Sequence, residues 1–512
     1  MIKQEWALSS WAIGILQQCS HFFVEEQRPA YLVGGSIRNL LLSKPCVDWD
    51  IVTAGDTHAV ARRLAHVLDG CYAPLHDRAQ RVLVKQDEQE LVIDVSPLQG
   101  STIEEDVALR DFTVNAMAVP LTEAVSAVAT DVPLTPILID PLHGEQDLRT
   151  GTLRATSASA LEYDPLRILR AVRFMTYYAF TLDPTTVTLI EQAVPRLAQV
   201  ASERIHEELY AILRPAGATE RLYCLDQLHV LTALLPELDV ARGMLQPVLH
   251  HWDVFDHSLR TVFMLEALGT TLQQTPEEIA QSPFDIGGQG DLLALKELLL
   301  EAEEQHIFSF ATLLSPQMKL AALLHDIGKP PTHAVDEEGN ITFYHHPQAG
   351  VPLIRTIAKR LSISTHDGRL MQQVAAHHMR PGQLSQDPVT PRAIRRYFMD
   401  LGPNGIYVAL VALADHLAMR GPEPLTIHWQ RHRGTVRLLL TCYIRERDSI
   451  LPPRLIQADE LMRRYHLEPG PLIGQLLEAI AEAQAEGVVH SREDIFWFAE
   501  EKLHQLQSTG EK

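Results

Sequence analysis

Asp48 and Asp50 stand two residues apart in an apolar run, Val47-Asp48-Trp49-Asp50-Ile51-Val52. The run predicts a strand, and residues i and i+2 of a strand share a face. The fold must therefore hold two like charges side by side, each raising the pKa of the other unless something positive lies between them. A divalent metal is the common solution, and ligands that are all oxygen suit Mg²⁺. The preceding residues narrow the choice further. Tyr31-Leu32-Val33 predicts a buried strand, Gly34-Gly35-Ser36 a sharp turn that lets backbone approach a ligand, and Ile37 to Leu42 a short helix. The glycine turn then stands at a helix N-terminus, where N–H groups and the helix dipole favour an anion, and Arg38 adds a positive charge. A phosphate cradle followed by paired carboxylates points to metal-assisted chemistry on a nucleoside triphosphate. Either signal alone is common in turns and solvated strand faces. Their order within one short stretch carries the reading.

The stretch resembles the signature of the polymerase-beta-like nucleotidyltransferase superfamily, most closely the bacterial tRNA nucleotidyltransferases (CCA-adding enzymes) and their poly(A) polymerase relatives. Asn39 stands where that family usually has aspartate, which removes one carboxylate outside the Asp48/Asp50 pair. The resemblance implies that Gly34, Gly35, Ser36 and Arg38 hold the triphosphate and that Asp48 and Asp50 hold two Mg²⁺ ions. Arg81 to Val84 and Leu91 to Val95 predict a hairpin around Asp87-Glu88. Asp94, at the end of its second strand, corresponds to the third carboxylate of the superfamily. Arg110-Asp111-Phe112-Thr113 and Asn115 match the segment that meets sugar and triphosphate in the family, with Leu109 in place of a first arginine. Arg110 can do so by charge-assisted hydrogen bonds; Asp111 makes such a contact or caps the following helix. Residues 121–138 read as a loop, and Asp140-Pro141-Leu142-His143-Gly144 as the segment that closes the head.

From about residue 156 the apolar period changes from 2 to 3.6, and the chain reads as helical. Asp164 to Phe174 predicts a helix with Asp164 as N-cap and Pro165 in its first turn. Arg167, Arg170 and Arg173 recur at three-residue spacing on one face. The family uses an Asp-x-x-Arg element here as a protein template for the incoming base. Asp164 and Arg167 match it, while Tyr163 stands where an acidic residue is usual and Glu162 lies one position earlier.

A second constellation occupies the middle of the chain. His257 lies in HHWDVFDHSL, His325-Asp326 in AALLHDIGKP and Asp415 in ALADH. An apolar helix that ends in His-Asp places two ligands at a helix end, and His with carboxylate suits a transition metal or Mg²⁺. The four residues resemble, in order and local context, the divalent-metal ligands of the HD phosphohydrolase superfamily. His346 and His378 are candidates for a second ion, with His345 and His377 as adjacent competitors. Several tRNA nucleotidyltransferases carry such a domain behind the neck, where it is either hydrolytic or a structural body.

The 512 residues suffice for two to four domains. Net charge is −21, from 44 basic and 65 acidic residues, which excludes a generally adhesive nucleic-acid binder but not a local basic groove. The five cysteines are scattered without a Cys-x-x-Cys pair, which fits a reducing cytoplasm. No 18-residue apolar run occurs, so no membrane partner is expected, and the N-terminus lacks the design of a signal peptide. Residues 1–28 read as an amphipathic helix and 270–310 as loop-rich. The tail, 455–498, resembles the RNA-facing helices of the family. The expected architecture is an α/β (α+β) nucleotidyltransferase head (1–150), then a mostly α-helical neck (151–215), HD-type body (216–450) and tail (451–512). The expected activity is addition of the 3′-terminal CCA to tRNA from CTP and ATP. The alternatives are a CC-only or A-only enzyme, a poly(A) polymerase, an HD phosphohydrolase, or a tRNA-binding scaffold with a decayed head.

Overall fold

The backbone at Gly34, φ +66° and ψ −132°, turns the chain out of its first strand and into the helix Gly35–Leu41. A Cβ here would stand 2.8 Å from Arg110 Nη1 and 3.3 Å from Asp50 Oδ2, so only glycine fits. The computed structural model describes residues 8–76, 79–130, 132–285, 290–386, 388–451, 456–485, 487–489 and 491–509. They form two compact units, Met1–Glu208 with Gln227–Leu234, and Leu209–Asp226 with Leu235–Lys512.

The first unit is built on six strands: β1 (Ala30–Val33), β2 (Asp48–Thr53), β3 (Cys71–His76), β4 (Ala79–Gln86), β5 (Gln89–Pro97) and β6 (Ala118–Pro120). Their order is β3-β4-β5-β2-β1-β6. Among neighbouring strands of this sheet only β2 and β5 run parallel, and their register sets Asp50 beside Asp94. The intervening residues Trp49, Ile51, Ile93 and Val95 are fully buried and fix that register against slippage. The hairpin of β4 and β5 closes at Gln86 and Gln89, around Asp87-Glu88 as the sequence predicts.

Three sequence expectations need correction. The helix Leu121–Thr130 occupies most of the supposed loop 121–138; Leu121, Ala124, Val125 and Val128 form its buried stripe, a 3.6 period obscured by small residues. The amphipathic N-terminal helix runs Ser10–Glu25 rather than over 1–28, and residues 1–7 lie outside those described. Within 270–310, the helices Pro276–Ala280 and Asp291–Glu304 replace the expected loops. Thr275 and Glu278 form a capping box for the first of them.

The helix Arg167–Tyr178 is pinned to the head by Asp111. Arg170 donates to Asp111 Oδ2 from Nε at 2.9 Å and Nη2 at 2.7 Å. Asp111 Oδ1 accepts from the Phe112 N–H at 2.8 Å and from Asn115 Nδ2 at 2.9 Å. Burial alone would raise this carboxyl, but Arg170 and Asn115 hold it down at about 2.

In the second unit the helices Val254–Thr271, Pro316–Leu324, His346–Arg360, Thr365–His377 and Asn404–Met419 pack around one core. Lys319 is buried there, its ammonium donating to the carbonyls of Leu213 (2.7 Å), Arg214 (3.2 Å) and Pro215 (3.0 Å) and pairing with Glu266 at 2.8 Å. The helices Ala458–Tyr465, Pro471–Ala485 and Arg492–Thr509 share a smaller core of Leu461, Leu476, Ile480 and Ile495. No single helix among the described residues is long and apolar enough to cross a membrane.

Two stability measurements follow. The folded carboxyl of Asp111 lies below its unfolded value, so its contribution is present above about pH 4 and is lost as pH falls toward 2. Between pH 5 and pH 3 the urea-unfolding free energy of the wild type should fall by about 1 kcal/mol more than that of Asp111→Asn. Lys319→Ala leaves Glu266 and three carbonyls without their buried cation, and should cost roughly 3 kcal/mol in the same assay.

Candidate functional site

A cavity of about 640 Å³ opens over Gly34, Gly35, β2 and the start of the helix Arg167–Tyr178. Seven arginines and five aspartates line it, a local excess of positive charge on an acidic chain. Most of these charges are already paired. Arg81 grips Asp94 with two hydrogen bonds of 2.8 Å. Arg110 meets Asp106 at 2.9 Å, Arg170 meets Asp111 at 2.7 Å, Arg173 meets Glu208 at 2.8 Å and Arg204 meets Asp164 at 2.8 Å. Asp48 and Asp50 have no such partner within 4 Å among the described residues. Burial, with the charges of Asp94 and Asp48, pushes Asp50 up to about 6 against the pull of Arg110. Burial also raises Asp48. Two unneutralised carboxylates offering only oxygen fit a divalent cation.

The predicted residues distribute as follows. Gly34, Gly35, Arg38, Asp48, Asp50, Asp94, Arg110, Asp111, Asn115, Asp164, Arg167, Arg170 and Arg173 all border this cavity. Ser36 does not. Its hydroxyl donates to the Asp48 carbonyl at 3.2 Å and accepts from the Asp50 N–H at 2.8 Å, so it clamps β2 instead of holding phosphate. Asp164 is not the N-cap of a helix that begins at Arg167; its carboxylate accepts from the Leu166 N–H at 3.3 Å and takes Arg204. Arg167 donates to the backbone oxygens of Leu109, Arg110 and Ala160 and meets no carboxylate. Arg81 and Arg204 border the cavity but were not singled out from sequence. Arg81 was legible in principle, since the hairpin places it opposite Asp94.

The second unit holds the other constellation. The imidazoles of His325, His346 and His378 each set Nδ1 against a backbone oxygen, of Ala322 (2.7 Å), Phe343 (2.8 Å) and Ala375 (2.9 Å). This fixes the rings and turns every Nε2 inward. Ligand atoms of His257, His325, Asp326 and Asp415 lie within 4.8 Å of one another, and Asp326, His346 and His378 form a second such group. The inward Nε2 atoms are buried and face only carboxylates, that of His257 at 2.9 Å from Asp415 and those of His325, His346 and His378 at 3.1, 3.3 and 3.4 Å from Asp326. Imidazole nitrogens and carboxylate oxygens converging in this arrangement fit divalent metal, with Asp326 common to both groups. Gly328 permits the approach: a Cβ there would stand 2.1 Å from the His346 carbonyl oxygen. The competitors fall away, since His345 is exposed and His377 lies against Arg380. Lys329 was not singled out, although it follows the motif directly; its ammonium lies 2.6 Å from Asp326 and 2.6 Å from Gln246 Oε1. Burial would raise Asp326, but His325 and Lys329 hold it well below the usual carboxylate range.

Comparisons with known proteins match both the head and the HD body. Residues 30–154 match the Poly A polymerase head domain, 179–242 the probable RNA and SrmB-binding site of polymerase A, and 254–420 the HD domain. The chain is 32% identical to the A-adding tRNA nucleotidyltransferase of Deinococcus radiodurans, over 90% of this chain and 92% of that one. It is 30% identical to the CC-adding tRNA nucleotidyltransferase of Thermus thermophilus, over 91% and 92%. A CCA-adding enzyme structure in an apo form superposes with a TM-score of 0.59 at 20% identity, covering 96% of this chain and 94% of that one, a likeness of fold. A head of mixed sheet, a match to the HD domain in the body and relatives matched along nine-tenths of their length place this chain in the tRNA nucleotidyltransferase family.

Proposed function

We propose that the chain extends the 3′ end of tRNA with the nucleotides of the CCA terminus, consuming CTP and ATP and releasing pyrophosphate. The charge pattern of the head cavity carries this reading. Among the described residues, Asp48 and Asp50 are its only carboxylates without a basic partner within 4 Å, and Arg38 and Arg167 its only guanidiniums without a carboxylate. Carboxylates without a counter-ion in a partly buried site attract a cation, and guanidiniums without one attract phosphate or a base edge. Asp48 and Asp50 would hold Mg²⁺, with Asp94 as their register neighbour on β5. Bound there, the ion lowers the pKa of an RNA 3′-hydroxyl and neutralises charge on the leaving pyrophosphate. Gly34 and Gly35 leave room for a triphosphate against the backbone. Arg38 and Arg110 face it, Arg170 and Asn115 hold Asp111 and thereby the floor, and Asp164 with Arg167 would read the base. In this assignment residues 1–150 bind the nucleotide, 151–215 select it, 216–450 carry the HD site and 451–512 face tRNA, in the cytoplasm.

A second reading stays within the family. The Deinococcus relative is an A-adding enzyme, and this favours a specialist that adds only the terminal A. A further activity is favoured by the buried imidazole nitrogens gathered around Asp326, which suit a metal-dependent phosphohydrolase. Release of phosphate from phosphomonoesters or 2′,3′-cyclic phosphates with added transition metals tests it.

Asp48→Ala and Asp50→Ala should each lower nucleotide addition to a tRNA transcript by at least about a thousandfold while leaving the urea-unfolding curve in place; retained addition would sink the assignment. At the other site, elemental analysis of purified protein should find divalent metal that Asp326→Ala loses altogether and His346→Ala loses in part. Equal metal content in wild type and Asp326→Ala would remove that site from consideration.

A further inference from the structure

Among the cations of the head cavity, Arg38 alone is held entirely by neutral side chains. It is 6% exposed, with its guanidinium 5.0 Å from the Phe174 ring centre and 4.4 Å from that of Tyr178. Nη1 donates to Asn115 Oδ1, while Nε and Nη2 donate to Asn39 Oδ1 at 3.3 Å and 3.1 Å. The Tyr178 hydroxyl donates to the same Asn39 atom at 2.8 Å. Three donors converging on one atom assign it as the amide oxygen rather than the nitrogen. Asp111, whose charge acts on Arg38, is itself engaged by Arg170. No carboxylate among the described residues lies within 4 Å of Arg38. A buried cation without a counter-ion is costly, and two aromatic faces offset only part of that cost. Gly35 and one edge of the guanidinium border the cavity together, a Cβ at Gly35 standing 3.4 Å from Arg38 Nη2.

We infer that Asn39 is a positioning residue for polyphosphate: its neutral oxygen aims Arg38 and Tyr178 while leaving the Arg38 charge uncompensated for the incoming triphosphate. The inference rests on reading the head cavity as the nucleotide site. Asn39 does not touch the reacting atoms; it acts through Arg38. An aspartate at this position has the same shape and accepts the same three hydrogen bonds, but supplies the counter-ion internally. The arrangement then competes with the substrate phosphates for one charge.

The test uses the full chain and inorganic tripolyphosphate, with binding followed by calorimetry. Asn39→Asp should weaken tripolyphosphate roughly tenfold at low salt, and less as ionic strength rises. The KM for CTP or ATP should rise by a similar factor of about ten with kcat within about twofold, because a charge removed from the phosphate cradle weakens ground and transition states alike. The thermal midpoint should stay in place. Asn39→Ala, which removes the oxygen without adding charge, should cost about threefold in binding, the loss of aim alone. It carries the test should the aspartate variant unfold. Undiminished tripolyphosphate affinity in either folded variant overturns the inference. A chain that adds no nucleotide to RNA, yet shows the tenfold loss of tripolyphosphate, would refute the proposed function and uphold the role of Asn39.

Discussion

Asp111 is a carboxylate buried in the head, and it cannot stay there without compensation. Two hydrogen bonds from Arg170 supply most of it, and the Asn115 amide and the Phe112 N–H supply the rest. The helix Arg167–Tyr178 is consequently fixed against the head by charge as well as by the Phe112 and Phe174 rings, 5.9 Å apart and edge-on. Everything on that helix face inherits the placement. Arg167 reaches the carbonyls of Leu109 and Arg110, Arg173 reaches Glu208, and Phe174 and Tyr178 cover Arg38. The Asn115 amide carries the same constraint to Arg38, with its nitrogen on Asp111 and its oxygen on the guanidinium.

Once those pairings are made, the groups left outside them define the chemistry. In the head they are two carboxylates and two guanidiniums around one cavity, a complement to a metal-bound polyphosphate. In the second unit they are imidazole nitrogens and a carboxylate, whose orientation is set by backbone oxygens behind each ring. The two sites differ in donor chemistry, all oxygen in the first and mostly nitrogen in the second, and so favour different metals. Each was recognisable because a motif gathers its residues within a few positions of a strand or helix end.

That locality also explains what the sequence concealed. Asp48, Asp50 and Asp94 were legible because strand period 2 and apolar neighbours fix their faces. His325 and Asp326 were legible because an apolar helix ends on them. Arg81 and Arg204 were not singled out because their importance lies in the carboxylates they neutralise, and those contacts span 13 and 40 residues. The choice between His345 and His346 depended on where one helix starts: His345 sits in a left-handed conformation before it and is exposed. Ser36 matched the expected cradle, yet the close packing of Gly35–Leu41 on β2 turns its hydroxyl into a strand clamp. The helix Leu121–Thr130 was hidden because alanine and valine carry its stripe without the larger residues that mark a core face.

The central claim is that the unpaired charges of the head cavity hold a metal nucleotide for transfer to an RNA end. The most direct measurement incubates the protein with Mg²⁺, labelled CTP or ATP, and three tRNA transcripts, ending before the first C, before the second C and before the A. Products are resolved at single-nucleotide length. The account predicts extension to the CCA end followed by a stop, in all three transcripts for a complete enzyme or in the last alone for an A-adding specialist. No extension of any transcript would contradict it.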